Sequence, residues 1–505
     1  MTVHILGISC SLRNARFGAG SSELISSIKS IENEETLINY IEQQTKIRAE
    51  DFLAAGRDDE KPFDEIYRNL LKAKGDRGLS NSEASLAAAL WGAYQRGAEI
   101  SHLGLSRHFP KDGQPKHLDE LREKILQADA LLLSGPVYFG DRSSIAQAFV
   151  EFLHRDDICA EHLRGRIYGG VAVGAKRNGG QETTLIYQMV DFTNMHMLAV
   201  GNDDKTTSQY GGTSKAGDVG TLYKDEYGIT TSIGTGKRMA NVAKMSEIGS
   251  QVTLNDKVNI SVWLLQDSAD SHGRDVFTKL AREIESQVPE VAFHIQDFTT
   301  EDVQVQRCIA CDVCPTDNGP LEEYRCIIKS KTDVFCQHHQ ELINTDAVLL
   351  AANSPVDRHN IHSVYQQFIE RTRYLRRDQY AIGDRLAAPL VLSEIGSNQN
   401  LHIRMMTSLI RHQTVIHHPL LAMEQAGNIL NWEMLVENGI SFAKNAVRLS
   451  AGRVSQGEVH NKVYNPIGYD ISLAKHERKT TQSQYDEMRK DRKEKQDEER
   501  VRRIG

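Results

Sequence analysis

One order of elements occurs twice along this chain, and that repetition narrows its architecture more than any single motif. In the first half HILGISCS (4–11), ISHLGLS (100–106), ADALLLSGPVYFG (128–140), RIYGGVAVGA (166–175) and HMLAVG read as buried strands. Between them lie the helical stretches SNSEASLAAALWGAYQRGAE (80–99), LDELREKILQ, SIAQAFVEFLHR and GQETTLIYQMVDFT. The second half starts again with the strand NISVWLLQ (259–266), the helix DVFTKLAREIESQ and the strand VAFHIQDF. TDAVLLAANSP (345–355) and APLVLSEIG follow as strands, with IHSVYQQFIERTRYL as the helix between them. Short apolar runs alternating with helices predict an α/β chain whose parallel sheets are covered on both faces. The halves also keep one register. Pro136 and Pro355 are 219 residues apart, and so are Phe149 and Phe368. The same offset sets Arg177-Asn178-Gly179 on Gly396-Ser397-Asn398 and His196 on Val415. A strand, a loop, a helix and a second loop that agree in this way point to an internal duplication.

Composition sets the outer bounds. A chain of 505 residues has room for about three units. With 40% hydrophobic and 25% charged residues, a core of ordinary size is expected. A net charge of -8 excludes a general basic field, so no nucleic-acid partner is expected. No apolar run reaches about 18 residues, so no membrane span is expected either. The start, MTVHILGISCS, lacks a basic segment before its apolar run and reads as a first strand, which favours the cytoplasm. Residues 202–235, rich in Gly, Ser, Thr and Asp, would alone pass for a linker, but they lead into KRMANVAKMSEIG, a last helix for the first domain. The expected division is 1–252, with a helical insertion at about 14–78; 257–450; and a charged extension over 451–505. HERKTTQSQYDEMRKDRKEKQDEERVRRIG has almost no apolar side and reads as a solvated or disordered tail, with a partner-binding helix as the lesser alternative.

The first strand ends in small residues, as a strand running into a phosphate loop does. Ser11, Ser80 and Ser82 offer hydroxyls, Asn81 an amide and Arg13 a charge, and Ser80 or Ser82 caps the helix that follows. Pro136-Val137-Tyr138-Phe139-Gly140 and Gly179-Gly180 offer two places where backbone can approach a flat ring without a Cβ in the way. The bland alternative is plain turn chemistry between strands and helices. GISCSLR (7–13), SNSEASL (80–86), SGPVYFGDRSSIAQAFVEFLHR (134–155) and RNGGQETT (177–184) together resemble the NADPH-dependent FMN reductase and iron–sulfur flavoprotein family. QYGGTSKAGDVGTLYKDEYGITTSIGTGKR (209–238) is similar to that family's loop before its last helix. The resemblance covers nearly all of 1–250 and extends more weakly over 257–425. It implies two tandem flavodoxin-like domains and non-covalent FMN in the first. It also implies NAD(P)H as reductant, and it brings Arg177, Asn178, Gln181 and Tyr210 into the cofactor-binding set.

One departure from the family pattern stands out. A long insertion separates Arg13 from Ser80, and it contains a rival phosphate loop, GAGSSELI (18–25). Ser80–Ser82 is the preferred cradle, because its helix leads directly to the next strand. The insertion then emerges beside the flavin, either as a lid or substrate-selecting cap or as a peripheral decoration.

The seven cysteines are not scattered: Cys308, Cys311, Cys314 and Cys326 fall in one segment, with Cys336 just beyond. C-x2-C-x2-C spacing allows three thiolates to meet on one inorganic core, so a [4Fe–4S] cluster held by Cys308, Cys311, Cys314 and Cys326 is expected, with Cys336 as rival fourth ligand. A zinc site and metal-free thiols are the alternatives. The second domain reads as a poorer flavin site: Asp267 and Asp270 stand in its first loop, Asp357 replaces Tyr138, and SNQN replaces NGGQ. The pairs His338-His339 and His417-His418 read as surface or strand residues rather than ligands. The expected function is an NAD(P)H-linked flavin oxidoreductase passing electrons to an organic acceptor or the cysteine-bound iron–sulfur cluster, with a small-molecule acceptor or a redox partner protein as partner and a homo-oligomer as the expected assembly. An electron carrier without its own substrate and a partly cofactor-free scaffold are the alternatives.

Overall fold

The computed structural model describes residues 2–14, 16–56, 61–72, 77–206, 208–266, 272–298, 304–311, 314, 322–358, 363–377, 380–397, 400–456 and 482–504. It divides into two compact units, Met1–Lys244 and Met245–Gly505.

The first unit runs β1 (His4–Ser9), α1 (Ala19–Lys29), α2 (Glu34–Ala54), α3 (Phe63–Lys72), α4 (Asn81–Gln95), β2 (Glu99–Gly104), α5 (Leu118–Leu126) and β3 (Ala130–Pro136). It continues with α6 (Ser144–Arg155), α7 (Asp157–Leu163), β4 (Ile167–Gly174), α8 (Gln181–Asn194), β5 (Leu198–Ala199), β6 (Gly212–Lys215) and α9 (Glu226–Gly249), and the division between the units falls inside α9. Its strands lie in the order β2-β1-β3-β4-β5, with β6 also paired to β4, and every pair is parallel. This is the α/β architecture that the alternating runs predict. β3 and β4 are buried along almost their whole length, as strands covered on both faces must be.

α4 is the crossover from β1 to β2. Ser80 caps it, accepting from the Glu83 N–H at 3.3 Å, and the chain turns at Gly97 with φ +73°. Its residues from Ser82 to Ala93 are buried on all sides, so it is an interior helix rather than an amphipathic one. A Cβ on Gly92 would lie 2.2 Å from the Ile233 carbonyl oxygen, and one on Gly236 would lie 1.7 Å from that of Ala89. α4 and the first part of α9 therefore pack backbone against backbone, at a separation only glycine permits. The insertion, α1 to α3, occupies the gap between β1 and α4.

The second unit runs β7 (Val258–Leu265), α10 (His272–Gln287), β8 (Val291–Asp297), α11 (Val334–Gln337), α12 (His339–Ile343), β9 (Ala347–Ser354), α13 (Ser363–Arg371) and α14 (Arg373–Arg377). It ends with β10 (Leu386–Glu394), α15 (Leu401–Leu409), β11 (Val415–Ile416), β12 (Leu420–Gln425), β13 (Asn428–Ile429), α16 (Trp432–Gln456) and α17 (Gln482–Ile504). Its order, β11-β10-β9-β7-β8 with β12 on β10, repeats that of the first unit strand for strand.

The charged tail differs from the expected solvated extension. Residues 482–504 form a helix, and its tip is docked by charge. Arg503, 3% exposed, donates to both carboxylate oxygens of buried Asp346 at 2.7 and 3.0 Å and to Asp256 at 2.8 Å. Arg453 donates to the same Asp346 at 2.6 Å. An apolar stripe is missing, and that is why the pattern did not reveal the contact; Val501 remains 69% exposed. Burial alone would raise the Asp346 carboxyl, but Arg453 and Arg503 outweigh it and hold it at about 2. A carboxyl depressed in this way stabilises the fold above the ordinary carboxylate range and ceases to do so as pH falls toward 2, an effect of about 2–3 kcal/mol. Arg503→Ala should therefore destabilise the second unit by about 2–3 kcal/mol at pH 7, less than a fully broken buried pair because Arg453 remains. The deficit should shrink as the pH approaches 2. Denaturant titration at several pH values checks this, and equal midpoints at pH 7 would show that the tip does not dock.

Candidate functional site

Beyond the carboxyl ends of β1, β3 and β4 lies a cavity of about 480 Å³. Eight of the residues expected at a cofactor site meet there: Ser11 and Arg13 after β1, Ser80, Asn81 and Ser82 at the start of α4, and Pro136, Val137 and Tyr138 at the end of β3. Gly174 and Ala175 at the end of β4 and residues 216–219 after β6 complete the protein wall. The insertion contributes Phe52 from α2 and Leu70 from α3.

The phosphate-loop candidates are held in place by their neighbours. The Ser11 hydroxyl accepts from the Arg13 N–H at 3.2 Å, and Arg48 of α2 donates to the Arg13 carbonyl at 2.9 Å. The Arg13 guanidinium lies over the Phe52 ring, 5.3 Å from its centroid. The Ser80 and Ser82 hydroxyls are 3.3 Å apart, and Ser134 of β3 donates to the Ser82 carbonyl at 2.7 Å. Asn81 donates its amide to the Asp218 carbonyl at 2.8 Å, while its Oδ1 is buried without a partner. A helix N-terminus, three hydroxyls and a guanidinium facing one cavity form a place for an anion, and a bare amide oxygen beside them calls for a hydroxyl donor.

A buried ion pair ties the insertion to this helix. Arg16 donates through Nε to Glu83 Oε1 at 3.1 Å and through Nη2 to the Gly78 carbonyl at 2.7 Å. Glu83 is 1% exposed, and burial raises its carboxyl against the pull of Arg16. Buried His102 of β2 lies 3.5 Å from the same carboxylate; burial, with Arg16 and Lys124, lowers its imidazole to about 3 and keeps it neutral.

The other expected site residues surround the cavity without lining it. Phe139 and Gly140 continue the β3 turn, with Phe139 at φ +51° and fully exposed. Asn178 (φ 58°) and Gly179 lie on the β4–α8 loop, and the Gly179 N–H donates to Gln181 Oε1 at 2.8 Å. Gln181 is 3% exposed and donates to the carbonyls of Lys176 and Ser214, so it staples its own loop. Arg177 is engaged with the Asp225 carboxylate and with the Thr213 carbonyl at 2.7 Å. Tyr210 is half-buried on the chain leading to β6. Gly180 carries the contact between the two expected ring-facing loops: its φ is +99°, and a Cβ there would lie 2.7 Å from Gly140 Cα. Phe52, Leu70 and residues 216–219 were missed in the sequence. The glycines of AGDVG signalled the last group; no spacing singles out Phe52 or Leu70 from other helix residues.

Residues 76–210 match the model of a family described as NADPH-dependent FMN reductase. That stretch of the chain is similar to this family. An iron–sulfur flavoprotein of Methanocaldococcus jannaschii is 38% identical over 128 residues, 25% of this chain and 65% of the relative. One from Methanosarcina thermophila is 28% identical over 131 residues, 25% of this chain and 63% of the relative. The chain thus spans less than two thirds of the length of these two relatives. Among solved structures, the flavodoxin, WrbA-like protein from Agrobacterium tumefaciens aligns with 48% of this chain and 98% of its own at 13% identity, with a TM-score of 0.25.

The FMN reductase match begins at residue 76, just before α4, and so leaves β1, Ser11, Arg13 and nearly all of the insertion outside it. The cysteine segment also lies outside, in the second unit. Burial pushes the Cys314 thiol up, Arg377 and Arg373 pull it down, and Cys308 and Cys326 add to the rise. Among the described residues, however, no group of three or more His, Cys, Asp or Glu side chains is placed to hold a metal. Asp267, Asp270 and Asn398, which bear on a second flavin site, lie outside the described residues. His339 and His417 are buried, and His339 Nδ1 is 2.9 Å from the Tyr374 hydroxyl. Among the described residues no helix is long and apolar enough to cross a membrane.

The Gly180–Gly140 contact yields a first test of the site. Gly180→Ala should destabilise the first unit by about 1–3 kcal/mol, from the left-handed backbone and the clash together, and should push the two loops apart. Thermal unfolding of the variant checks the stability, and an unchanged transition would contradict the close approach.

Proposed function

We propose that the first unit binds FMN non-covalently in the 480 Å³ cavity and uses it for NAD(P)H-dependent electron transfer to a small organic acceptor. The observation that carries this reading is the convergence of Ser11, Arg13, Ser80, Asn81 and Ser82 with the Pro136–Tyr138 turn on one cavity, of which Ser80–Ser82 and Pro136–Tyr138 lie in the stretch similar to FMN reductases. FMN, when bound, supplies a ring that takes hydride from a nicotinamide and releases electrons. The chain's part is to hold and orient. The α4 N-terminus, the Ser11 and Ser82 hydroxyls and Arg13 would hold the phosphate. Asn81 Oδ1, bare and buried, would accept from a hydroxyl of the ribityl chain. The Val137–Tyr138 backbone and Gly174-Ala175 would face the flat ring. Phe52 and Leu70 add apolar wall to the cavity from the insertion, which favours a small organic acceptor over a protein partner. No acid or base is required of the protein in this reading. No step runs through a metal cluster, because the described thiols do not gather into a ligand set.

Arg13→Ala combined with Ser82→Ala removes a charge and a hydroxyl from the phosphate cradle. FMN affinity should fall by about 2–4 kcal/mol, roughly 30- to 1000-fold, read by flavin fluorescence titration. Full flavin retention in the double variant would falsify the assignment of the cradle. Phe52→Ala and Leu70→Ala test the insertion: the KM for quinone-type acceptors should move several-fold while FMN affinity stays within about threefold. Identical kinetics with every acceptor would reduce the insertion to decoration.

A further inference from the structure

The rival phosphate loop, GAGSSELI (18–25), does not line the flavin cavity. Its residues form the start of α1 and one wall of a second cavity, of about 440 Å³, between α1, the edge strand β2 and α5. α1 is eleven residues long; its N-cap, Gly18, makes no side-chain capping bond, and its first turn carries no acid. The amino end of this helix therefore keeps its partial positive charge, with no acid in its own first turn; Glu120 is the carboxylate that lines the cavity.

Three cations line the same cavity. Arg16 is engaged with Glu83, and Arg107 donates two bonds to Glu120 at 3.1 and 3.0 Å. Lys124 lines the cavity too, and its charge acts on Glu120 without displacing Arg107 from that carboxylate. The independent sign of a ligand is His108. It is fully buried and lines the cavity, and its Nδ1 faces the carbonyls of His117 at 3.0 Å and Lys116 at 3.3 Å. Those acceptors fix the proton on Nδ1, and Nε2, on the opposite side of the ring, is buried with no partner. A buried ring nitrogen left bare loses a hydrogen bond that water would have supplied.

We infer that this cavity is a second anion site, distinct from the one proposed for flavin, and that it takes a phosphate monoester. The helix end and Lys124 answer the negative charge. A monoester also meets the need of Nε2, because its second proton leaves at a pKa near 6. A monoester that keeps this proton donates it to Nε2, which the Nδ1–H tautomer leaves as an acceptor. The monoester has two possible sources, the 2′-phosphate of NADPH or a free phosphorylated metabolite.

The test uses the full chain saturated with FMN, so that the flavin cavity is blocked, and calorimetric titration with ribose 5-phosphate, inorganic phosphate, NADP+ and NAD+. Saturable binding of ribose 5-phosphate, or of NADP+ in clear preference to NAD+, is expected; the first marks a free metabolite as the source and the second the dinucleotide. Ser22→Asp sets a carboxylate at the wall of the cavity near the amino end of α1, where an acid favours the helix, so the variant should fold. It and Lys124→Ala should each weaken binding at least about tenfold while leaving FMN affinity unchanged. The proposal fails if no probe saturates, or if binding is indifferent to both substitutions. Neither side chain lines the flavin cavity, so failure here is separable from failure of the flavin reading.

Discussion

The geometry of the first unit depends on the buried pair between Arg16 and Glu83. A phosphate cradle between β1 and its crossover helix normally needs only a short loop, and here the chain leaves after Arg13 and returns at Ser80 only after three helices. The long detour itself is entropically cheap, since each doubling of loop length costs only about 0.6 kcal/mol. What it endangers is registration: Ser11 and Ser82 must still face each other. Arg16, anchored at once on Glu83 and on the Gly78 carbonyl, brings the first residues of the detour against its last. Arg48 repeats this by holding the Arg13 carbonyl. Removing one partner from such a buried pair costs about 3–5 kcal/mol, because the other is left as an uncompensated charge.

Much of this was legible in the sequence, for identifiable reasons. Strands buried on both faces read as continuous apolar runs, so β1, β3, β4, β7, β9 and β10 were visible and their alternation with helices gave the architecture. Ser80 announced α4, because a capping hydroxyl sits one residue before the helix it starts. The eight cavity residues were visible because hydroxyls, an amide and a guanidinium at a strand end and a helix start suit a phosphate, and because the PVYFG turn carries the family resemblance. Arg177 shows the limit. Its position is right, but a charged side chain on a loop can turn to any carboxylate within reach, and Asp225, distant in sequence, was the one it found. Phe52 and Leu70 were invisible for a related reason: which helix residue overhangs a cavity is set by how the helix is docked, and periodicity does not encode that.

The tail carries the same lesson in reverse. Its sequence lacks the apolar stripe that usually announces packing, yet Arg503 is among the buried charges of the second unit. Asp346 is the reason. This residue, just before β9, also accepts from the Asn259 N–H at 3.0 Å, and a buried carboxylate in that position stays ionised only with cations beside it. Arg453 and Arg503 meet the need from two helices separated by residues 457–481. Charge complementarity over such a distance leaves no local trace in composition.

Because the insertion is fastened at its two ends, by Arg16 at the start and through Gly78 at the close, its interior and its attachment are distinct parts of one design. Residues between them can change length, composition or helix packing while β1 and α4 keep their alignment. Selection, or a designer, thus has a replaceable cassette at the rim of the cavity: new contents can be exchanged between fixed clasps without renegotiating the cradle beneath.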